Sequence, residues 1–435
     1  MKRLASIFIL LLALRARAAD LPLTDGSRIA FLGHSLTIEP TGLWADYVSC
    51  YLVLMNPDKH ITPMVIAHSG MGIDGEFGTN TDITLQEYPK YVVPFLSPTS
   101  SGNFVFFMFG GAGAPDTYQA QSQYLIDTYI VGTSAATPLI IGMTPEPDET
   151  GYALGGDFDS AGEAAAGAYS PNKIFTTTWS GLVTRFQNPA NWDALKFDPI
   201  GDPSNVHPSK AANIAVAWTN IIMLGWETNV TPATIDGSAL TVSSTNHCTI
   251  RSLAGTSSSF SFIKNNLRWG WGIDEAGRAD ATNIWPEMIG WQNDRLTITN
   301  LPTGTFRVFI NGTFISNVTS AQFAAGWNMA DLTIGPAHDV AQATLTAFRD
   351  LQDLDHTTLT GLNTTKGWSQ LRGACRPAYE DDGERGTNLI NDSRVQAALT
   401  SIATLSDAMH AAAQPQDLTF TIEQIIPRFA PFKIK

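Results

Sequence analysis

Short apolar runs alternate with longer amphipathic patterns through the first half of the chain, and the two patterns predict different elements. The short runs predict strands over residues 28–32, 63–67, 104–109 and 138–143. A weak fifth strand is expected to end at Phe197. The amphipathic patterns predict helices over residues 43–55, 118–129, 179–186 and 211–224. Repeated strand–loop–helix units of this length are typical of α/β proteins, and we predict a doubly wound, flavodoxin-like parallel sheet with helices on both faces.

The pattern changes after Trp226, where Ser- and Thr-rich segments alternate apolar and polar positions. Segments over residues 295–299, 305–310 and 313–315 are separated by turn residues and predict successive hairpins. The second turn, Asn311-Gly312, suits a two-residue hairpin loop because both positions need positive φ. We therefore predict a small antiparallel β unit, followed by C-terminal helices over residues 321–325, 340–354 and 394–413.

The first residues have the features of a secretory signal. Lys2 and Arg3 precede an apolar run too short to span a bilayer, and Ala16-Arg17-Ala18 supplies a cleavage site. We expect a secreted or periplasmic protein with no membrane span in the mature chain. The predicted divisions are a signal peptide over residues 1–18, an α/β domain over 19–228, a small antiparallel β domain over 229–318 and a helical extension over 319–435.

Composition narrows the classes of partner. The chain has 40 acidic and 26 basic residues and a formal net charge of −14, so nucleic-acid phosphates and anionic membrane surfaces should repel it. No phosphate-binding loop, dinucleotide fingerprint or His-Glu-x-x-His motif occurs, and we predict neither a cofactor nor a metal. The three cysteines have no metal-type spacing, and a Cys248–Cys375 disulfide stays open in an oxidising compartment.

Residues that could take part in catalysis lie just after a predicted strand and just before a predicted helix. Ser35 comes just after the first strand and before a helix, where free N–H groups favour an oxyanion. His207 precedes the helix predicted over residues 211–224. Ligands of open α/β sheets bind beyond the carboxyl ends of the strands, so both residues are expected on one rim. Serine and a neutral imidazole form a nucleophile–base pair. Two simpler interpretations stay open: Ser35 as a helix cap, and His207 as a histidine packed beside Pro208.

These residues resemble motifs of the SGNH (GDSL-type) esterase and lipase superfamily over roughly residues 29–225. Gly33-His34-Ser35-Leu36-Thr37 is similar to the family's first block, whose serine is the nucleophile. Val206-His207-Pro208 is similar to the end of its last block, whose histidine is the general base. Residues 301–328 also resemble a segment found after the catalytic domain in a secreted bacterial branch. The resemblance implies a small acyl or carbohydrate-linked ester as substrate.

The oxyanion positions depart from the family pattern. His34 replaces the family's aspartate before the serine, and Ile73 occupies the place of the oxyanion glycine beside Asp74, which is retained. Because that donor is a backbone N–H, Ile73 can still supply it. Ala112 replaces the asparagine whose side-chain amide donates to the oxyanion. The backbone N–H groups of Gly111 and Gly113 offer a partial substitute, as a small anion nest.

The position whose side chain orients the general-base histidine in the family also differs from the family pattern. The family's aspartate three residues before the histidine is Ser204 here, and Asp202 lies five residues before it. Asp202 reaches the imidazole of His207 only if the loop bulges, and some family members use a backbone carbonyl instead.

Three hypotheses follow. The first is a secreted serine ester hydrolase with Ser35 as nucleophile and His207 as base. The second is a catalytically degenerate relative that binds glycan or another extracellular ligand, with tryptophans that stack on sugars. The third, an ordinary α/β-hydrolase, is weak because its Gly-x-Ser-x-Gly elbow needs a second glycine where Thr37 stands. The candidate stacking residues are Trp269, Trp271, Trp285 and Trp291.

Overall fold

The computed structural model describes residues 23–33, 37, 44–67, 92–96, 103–108, 139–143, 174–177, 209–271, 275–352, 370–371, 374–375, 377–378, 381 and 389–426. The chain forms two compact units. The first comprises Met1–Trp226, Ile273–Met288 and Ala343–Ala412. The second comprises Glu227–Gly272, Ile289–Gln342 and Ala413–Lys435.

The described helices occur in both halves of the chain. They are α1 (Trp44–Met55), α2 (Val93–Leu96), α3 (Lys210–Met223), α4 (Glu275–Ile284), α5 (Ser320–Ala325), α6 (Pro336–Gln352) and α7 (Ser393–Ala412). α1, α3, α5, α6 and α7 coincide with predicted helices to within a few residues. No helix in the described part of the chain is long and apolar enough to cross a bilayer.

The first unit contains a parallel sheet built from five described strands, in the order β2-β1-β3-β4-β5. The strands are β1 (Arg28–Gly33), β2 (Thr62–Ala67), β3 (Phe104–Met108), β4 (Leu139–Met143) and β5 (Ile174–Thr177). The first four confirm the predicted strands. The fifth strand, β5, was not predicted and pairs with β4. The strand expected to end at Phe197 lies outside the described residues.

Aromatic side chains pack the centre of this sheet against α1. Phe31 on β1 stacks on Phe106 of the neighbouring β3 at 4.8 Å between ring centroids. Trp44, the first residue of α1, meets Phe31 edge-on at 5.3 Å. All three rings are almost completely buried, which explains why these strands have apolar runs and not an alternating pattern.

α3 packs against α1 and α4 in this unit. A Cβ on Gly277 of α4 would lie 2.9 Å from side-chain carbons of Ile214 and Lys210 on α3. The glycine therefore permits the close approach of these two helices, and a larger residue would force them apart.

Side chains from the C-terminal part of the chain cover the edge strand β2. Gln352 at the end of α6 accepts from Val65 N–H at 2.9 Å and donates to Pro63 C=O at 3.2 Å, as a neighbouring strand would. Nε2 of His410 on α7 lies within 3 Å of both the N–H and C=O of Ile61, and Ser406 Oγ donates to the same carbonyl. These contacts provide hydrogen-bond partners for backbone groups at and just before β2, which could otherwise pair with a strand of another chain.

The second unit contains two further sheets formed by described strands. One has the order β13-β10-β6-β7, and the other β12-β11-β14-β9-β8. Their strands are β6 (Ala233–Asp236), β7 (Thr241–Thr245), β8 (Cys248–Thr256), β9 (Ser259–Asn266), β10 (Arg295–Thr299), β11 (Thr305–Ile310), β12 (Thr313–Thr319), β13 (Trp327–Asn328) and β14 (Gln416–Gln424).

Two features differ from the predicted antiparallel unit. β6 and β10 pair in parallel, because some sixty residues separate them and can carry the chain back to the same end. β10 and β11 lie in different sheets, so the predicted hairpin between them does not form. The β11–β12 hairpin is confirmed: Asn311 and Gly312 have φ of 50° and 79°, as the two-residue turn requires.

β14 lies within the region predicted to be helical. It pairs with β9 on one side and β11 on the other, both antiparallel. Its Phe420 stacks on Phe262 of β9 at 4.9 Å between centroids. The C-terminal segment therefore completes the interior of this sheet.

A buried ion pair lies on the interior face of β9. Lys264 Nζ donates to Asp294 Oδ1 at 3.1 Å and to Thr231 Oγ1 at 2.6 Å, and both charged side chains are at most 1% exposed. The Thr231 hydroxyl donates to the same carboxylate oxygen. Cys248 is a thiol in this structure, so the disulfide with Cys375 that the sequence left open does not form. Burial raises the pKa of the Cys248 thiol.

Candidate functional site

The residues predicted for catalysis and oxyanion binding lie outside the described part of the chain. The structure therefore defines the frame on which they are carried and the groups next to them in sequence. The residues concerned are Ser35, His207, Asp202, Ile73, Gly111, Ala112, Gly113, His34 and Asp74.

The carboxyl ends of the parallel strands form one continuous row across the sheet. Gly33 at the end of β1 pairs with the last residues of both neighbouring strands. The row continues through the ends of β4 and β5. In order across the sheet it consists of Ala67, Gly33, Met108, Met143 and Thr177.

Three predicted blocks leave the sheet from adjacent places in this row. Ser35 follows Gly33 by two residues. Asp74 lies in the segment after Ala67, and the glycine-rich sequence over residues 110–113 begins two residues after Met108. These three strands are neighbours in the order β2-β1-β3. The segments that follow these strands therefore begin side by side at the carboxyl ends of the strands, where open α/β sheets bind ligands.

The start of α3 fixes the backbone next to the candidate base. Ser209 is the N-cap of this helix, with extended backbone (φ −61°, ψ 169°), and its Oγ accepts from Ala212 N–H at 3.2 Å. His207 stands two residues before this cap. The cap gives the chain a defined direction at the point where it leaves the loop for the helix.

An asparagine connects this cap to the start of α1. Asn213 Oδ1 accepts from Trp44 N–H at 2.9 Å, and its Nδ2 donates to Ser209 C=O at 3.1 Å. Asn213 is 2% exposed, so both hydrogen bonds are shielded from water. The amphipathic pattern over residues 211–224 does not distinguish Asn213 from the other positions of the helix. The available signal was a poor helix former in an otherwise apolar stretch of helix.

Polar groups on the segment that follows Ser35 are also buried. Thr37 is helical and fully buried, and its Oγ1 has no hydrogen-bond partner among the described residues. Asp46, in the first turn of α1, is fully buried and accepts from Arg349 Nε at 2.9 Å. A carboxylate here complements the positive end of the helix dipole.

The tryptophans predicted as sugar-stacking residues do not form an exposed platform. Trp269, Trp271 and Trp285 are at most 4% exposed. Trp269 Nε1 donates to Ala413 C=O at 2.9 Å, as buried indoles do when a partner is within reach. Trp291, which is half-buried, meets Trp271 edge-on at 5.6 Å. Three of the four rings therefore belong to the interior.

A histidine pair lies at the amino ends of the parallel strands, opposite the row of carboxyl ends. His60 and His410 stack at 4.5 Å between ring centroids, and His60 Nε2 contacts Asp407. His60 precedes β2, so the pair is at the amino end of that strand. Burial lowers the pKa of His410. Because ligands bind at the carboxyl edge, this pair is a structural contact between α7 and β2.

No protein-family profile matches the chain, and no curated protein matches it either. Among solved structures, a gut microbial diltiazem-metabolizing enzyme superposes with a TM-score of 0.62 at 16% identity, covering 93% of this chain and 99% of that one. A family two carbohydrate esterase from Clostridium thermocellum, in complex with cellohexaose, matches at a TM-score of 0.30 and 17% identity, covering 47% of this chain and 67% of that one.

The fold defines the class of this protein: a mixed α/β chain whose five described parallel strands end in one row. The chain shares this fold with the diltiazem-metabolizing enzyme. At this level of identity the likeness establishes the fold alone.

Proposed function

We propose that this chain is a secreted serine ester hydrolase of the SGNH type that acts on small acyl esters, including carbohydrate-linked ones. The observation that carries the proposal is the row of strand ends. Gly33, Ala67 and Met108 end their strands in register. The segment after Gly33 resembles the first block of the SGNH superfamily, and the segments after Ala67 and Met108 stand where its second and third blocks are expected, with the departures described above. The fold on which the proposal rests is shared with an enzyme that metabolizes diltiazem.

The strand order also supports a doubly wound arrangement. Order 2-1-3-4-5 in an all-parallel sheet is that of flavodoxin-like folds. Right-handed crossovers would then place helices on both faces and the switch point between β1 and β3. Ser35 follows the first of these strands and the glycine-rich turn follows the second. This strand order supports the proposal that the nucleophile lies in the crevice where such folds bind ligands.

In the proposed mechanism, Ser35 Oγ attacks the ester carbonyl carbon while His207 accepts its proton. The tetrahedral intermediate collapses, His207 returns the proton to the departing alcohol, and an acyl-serine remains. Water, deprotonated by the same imidazole, then attacks the acyl carbon and releases the acid and free Ser35. Asp202 or a backbone carbonyl orients the imidazole.

Backbone N–H groups hold the negative oxygen of the intermediate in this proposal. Ser35 and Ile73 each supply one, and the turn at Gly111 and Gly113 supplies others in place of the amide lost at Ala112. Losing one oxyanion donor typically lowers turnover by about 10²–10³-fold. We therefore propose a slow esterase, with His34 and Asp74 as neighbouring binding residues.

Ester turnover by the purified mature protein tests this function. The panel comprises p-nitrophenyl acetate, butyrate and octanoate, an acetylated oligosaccharide and diltiazem, each assayed with wild type, Ser35→Ala and His207→Ala. Ser244→Ala is the matched control, because Ser244 is an exposed strand serine of the second unit. We expect activity on short acyl esters that both site variants lose and the control retains.

Activity that survives Ser35→Ala would contradict the proposed nucleophile. A folded wild type that hydrolyses no ester but binds oligosaccharide in a calorimeter would favour the glycan-binding alternative. No described tryptophan platform supports that alternative, since three of the four candidate rings are buried.

A further inference from the structure

Asn213 makes two side-chain hydrogen bonds, one to the N-cap of its own helix and one to a distant part of the first unit. Its Oδ1 accepts from Trp44 N–H at 2.9 Å, across 169 positions of sequence. Its Nδ2 donates to Ser209 C=O at 3.1 Å, and its own backbone N–H donates to the same oxygen at 2.9 Å. The Asn213 amide nitrogen is therefore bonded to the start of α3, and its amide oxygen is bonded to the first residue of α1.

The bond to Trp44 has the role of a helix cap supplied from another element. Trp44 is the first residue of α1, and the first four N–H groups of a helix have no partner within it. Caps usually come from the residue just before the helix. Here the acceptor belongs to α3, so the start of α1 cannot shift without breaking a buried hydrogen bond.

The bond to Ser209 fixes the other segment. Ser209 C=O accepts both the first helical bond of α3 and the side-chain amide of Asn213. The N-cap turn is thereby attached to the same side chain that caps α1. His207 lies two residues before this turn, and Ser35 lies in the connection that leads into α1.

We propose that Asn213 is a positioning residue that sets the separation of the nucleophile-bearing and base-bearing segments. This inference rests on the proposed function, because it assigns the proton transfer to Ser35 and His207. Proton transfer needs the two groups within hydrogen-bond reach, and a misplacement of about 1 Å costs on the order of 10²-fold in rate. Asn213 bonds to Trp44 and Ser209, the described residues that follow these two segments, and it thereby limits that misplacement.

Two substitutions separate the roles of the side chain. Asn213→Ala removes both hydrogen bonds. Asn213→Asp keeps an acceptor for Trp44 N–H and loses the donor to Ser209 C=O. Asn220→Ala is the matched control: Asn220 is fully buried on the same helix, seven residues further on, and its amide donates to Val216 C=O within α3 at 2.9 Å. It connects no second element through a hydrogen bond of the described residues.

The rate of covalent labelling of Ser35 by a fluorophosphonate probe is measured for all variants at a temperature well below the lowest Tm. We expect Asn213→Ala to label at least tenfold more slowly than wild type, Asn213→Asp to recover part of the rate, and Asn220→Ala to stay within twofold. In ester turnover the loss should appear in kcat with little change in KM. Hydrogen exchange of the peptide containing the Trp44 amide should accelerate in Asn213→Ala and not in Asn220→Ala.

The outcomes are distinguishable. If wild type labels and Asn213→Ala labels at the same rate, the positioning role is overturned and the proposed function stands. Equal slowing in Asn213→Ala and Asn220→Ala overturns it as well, since a general loss of helix stability then explains the effect. If folded wild type does not label at Ser35, the proposed function fails and this inference fails with it.

Discussion

Replacing Lys264 with methionine should destabilise the second unit by about 3–5 kcal/mol, the usual cost of removing one partner from a buried ion pair. Lys264 and Asp294 are 0% and 1% exposed, and their charged atoms are 3.1 Å apart. At an effective dielectric constant of about 20, this separation corresponds to about 5 kcal/mol of attraction. Methionine fills a similar volume, so the loss reflects the uncompensated carboxylate and not a cavity.

The double variant Lys264→Met/Asp294→Leu separates these terms. Apolar replacement of both partners removes the charges together, and such exchanges are often neutral or stabilising. We expect the double variant to recover most of the stability that Lys264→Met loses. Thr231 would then lose both partners of its hydroxyl, which limits the recovery by about 1–3 kcal/mol.

An exposed ion pair of the same sheet provides the control. Arg307 and Glu423 are 2.9 Å apart, but their side chains are 50% and 38% exposed. Exposed pairs are typically worth less than about 1 kcal/mol, and Arg307→Met should therefore have a small effect.

Hydrogen exchange of the peptide covering Ser259–Asn266 reports the stability of this sheet without interference from the first unit. The expected order of protection is wild type and Arg307→Met highest, the double variant next and Lys264→Met lowest. The reasoning is refuted if Lys264→Met is protected as well as Arg307→Met, or if the double variant is less protected than Lys264→Met alone.

Three further predictions concern single contacts. Gln352→Leu should lower the stability by about 2–4 kcal/mol, because Val65 N–H and Pro63 C=O would lose their hydrogen-bond partner. Hydrogen exchange of Val65 N–H should become faster, and an unchanged exchange rate would contradict the role of Gln352. Because burial lowers the pKa of His410 below 6.5, the unfolded chain binds more protons in acid, so stability should rise with pH up to about 6.5. His410→Gln should flatten this part of the urea-unfolding profile, and an equally steep profile in the variant would contradict the assignment. Asn311→Ala should lower the stability by about 1–2 kcal/mol, because alanine is strained at a φ of 50° and because the hydrogen bond from Thr419 N–H to Asn311 Oδ1 is lost. A Tm equal to that of wild type would contradict this prediction.

Apolar runs predicted the central strands well, because a parallel strand covered on both faces must be apolar throughout. β1 and β3 are examples, with Phe31 and Phe106 stacked between them. β5 (Ile174–Thr177) lacked this signal, since it is four residues long and half of it is threonine. The Asn-Gly hairpin was predictable because a local turn determines its pairing.

Long-range pairing could not be read from local patterns. β14 occupies the centre of a sheet, although its partners β9 and β11 are more than a hundred residues away in sequence. Lys264 follows Phe260 and Phe262 on the buried face of β9, where the alternation pattern indicates an apolar residue. Its burial depends on Asp294, and nothing in the sequence links the two positions.

The candidate site was predicted as a set of strand-end motifs, and its residues lie outside the described part of the chain. The row from Ala67 through Gly33 to Met108 brings the origins of three predicted loops side by side. Asn213 was not predicted, because its role arises from a hydrogen bond to Trp44 that only the packing of α1 against α3 creates. The tryptophan platform failed because large aromatic residues fill interiors as readily as they bind sugars.

Mass spectrometry of the purified protein after reaction with a fluorophosphonate shows whether Ser35 is the nucleophile. We expect one adduct per chain, on the peptide that contains Ser35, and no adduct in His207→Ala under the same conditions. An intact, folded wild-type protein that carries no adduct, or an adduct on a different serine, would contradict it.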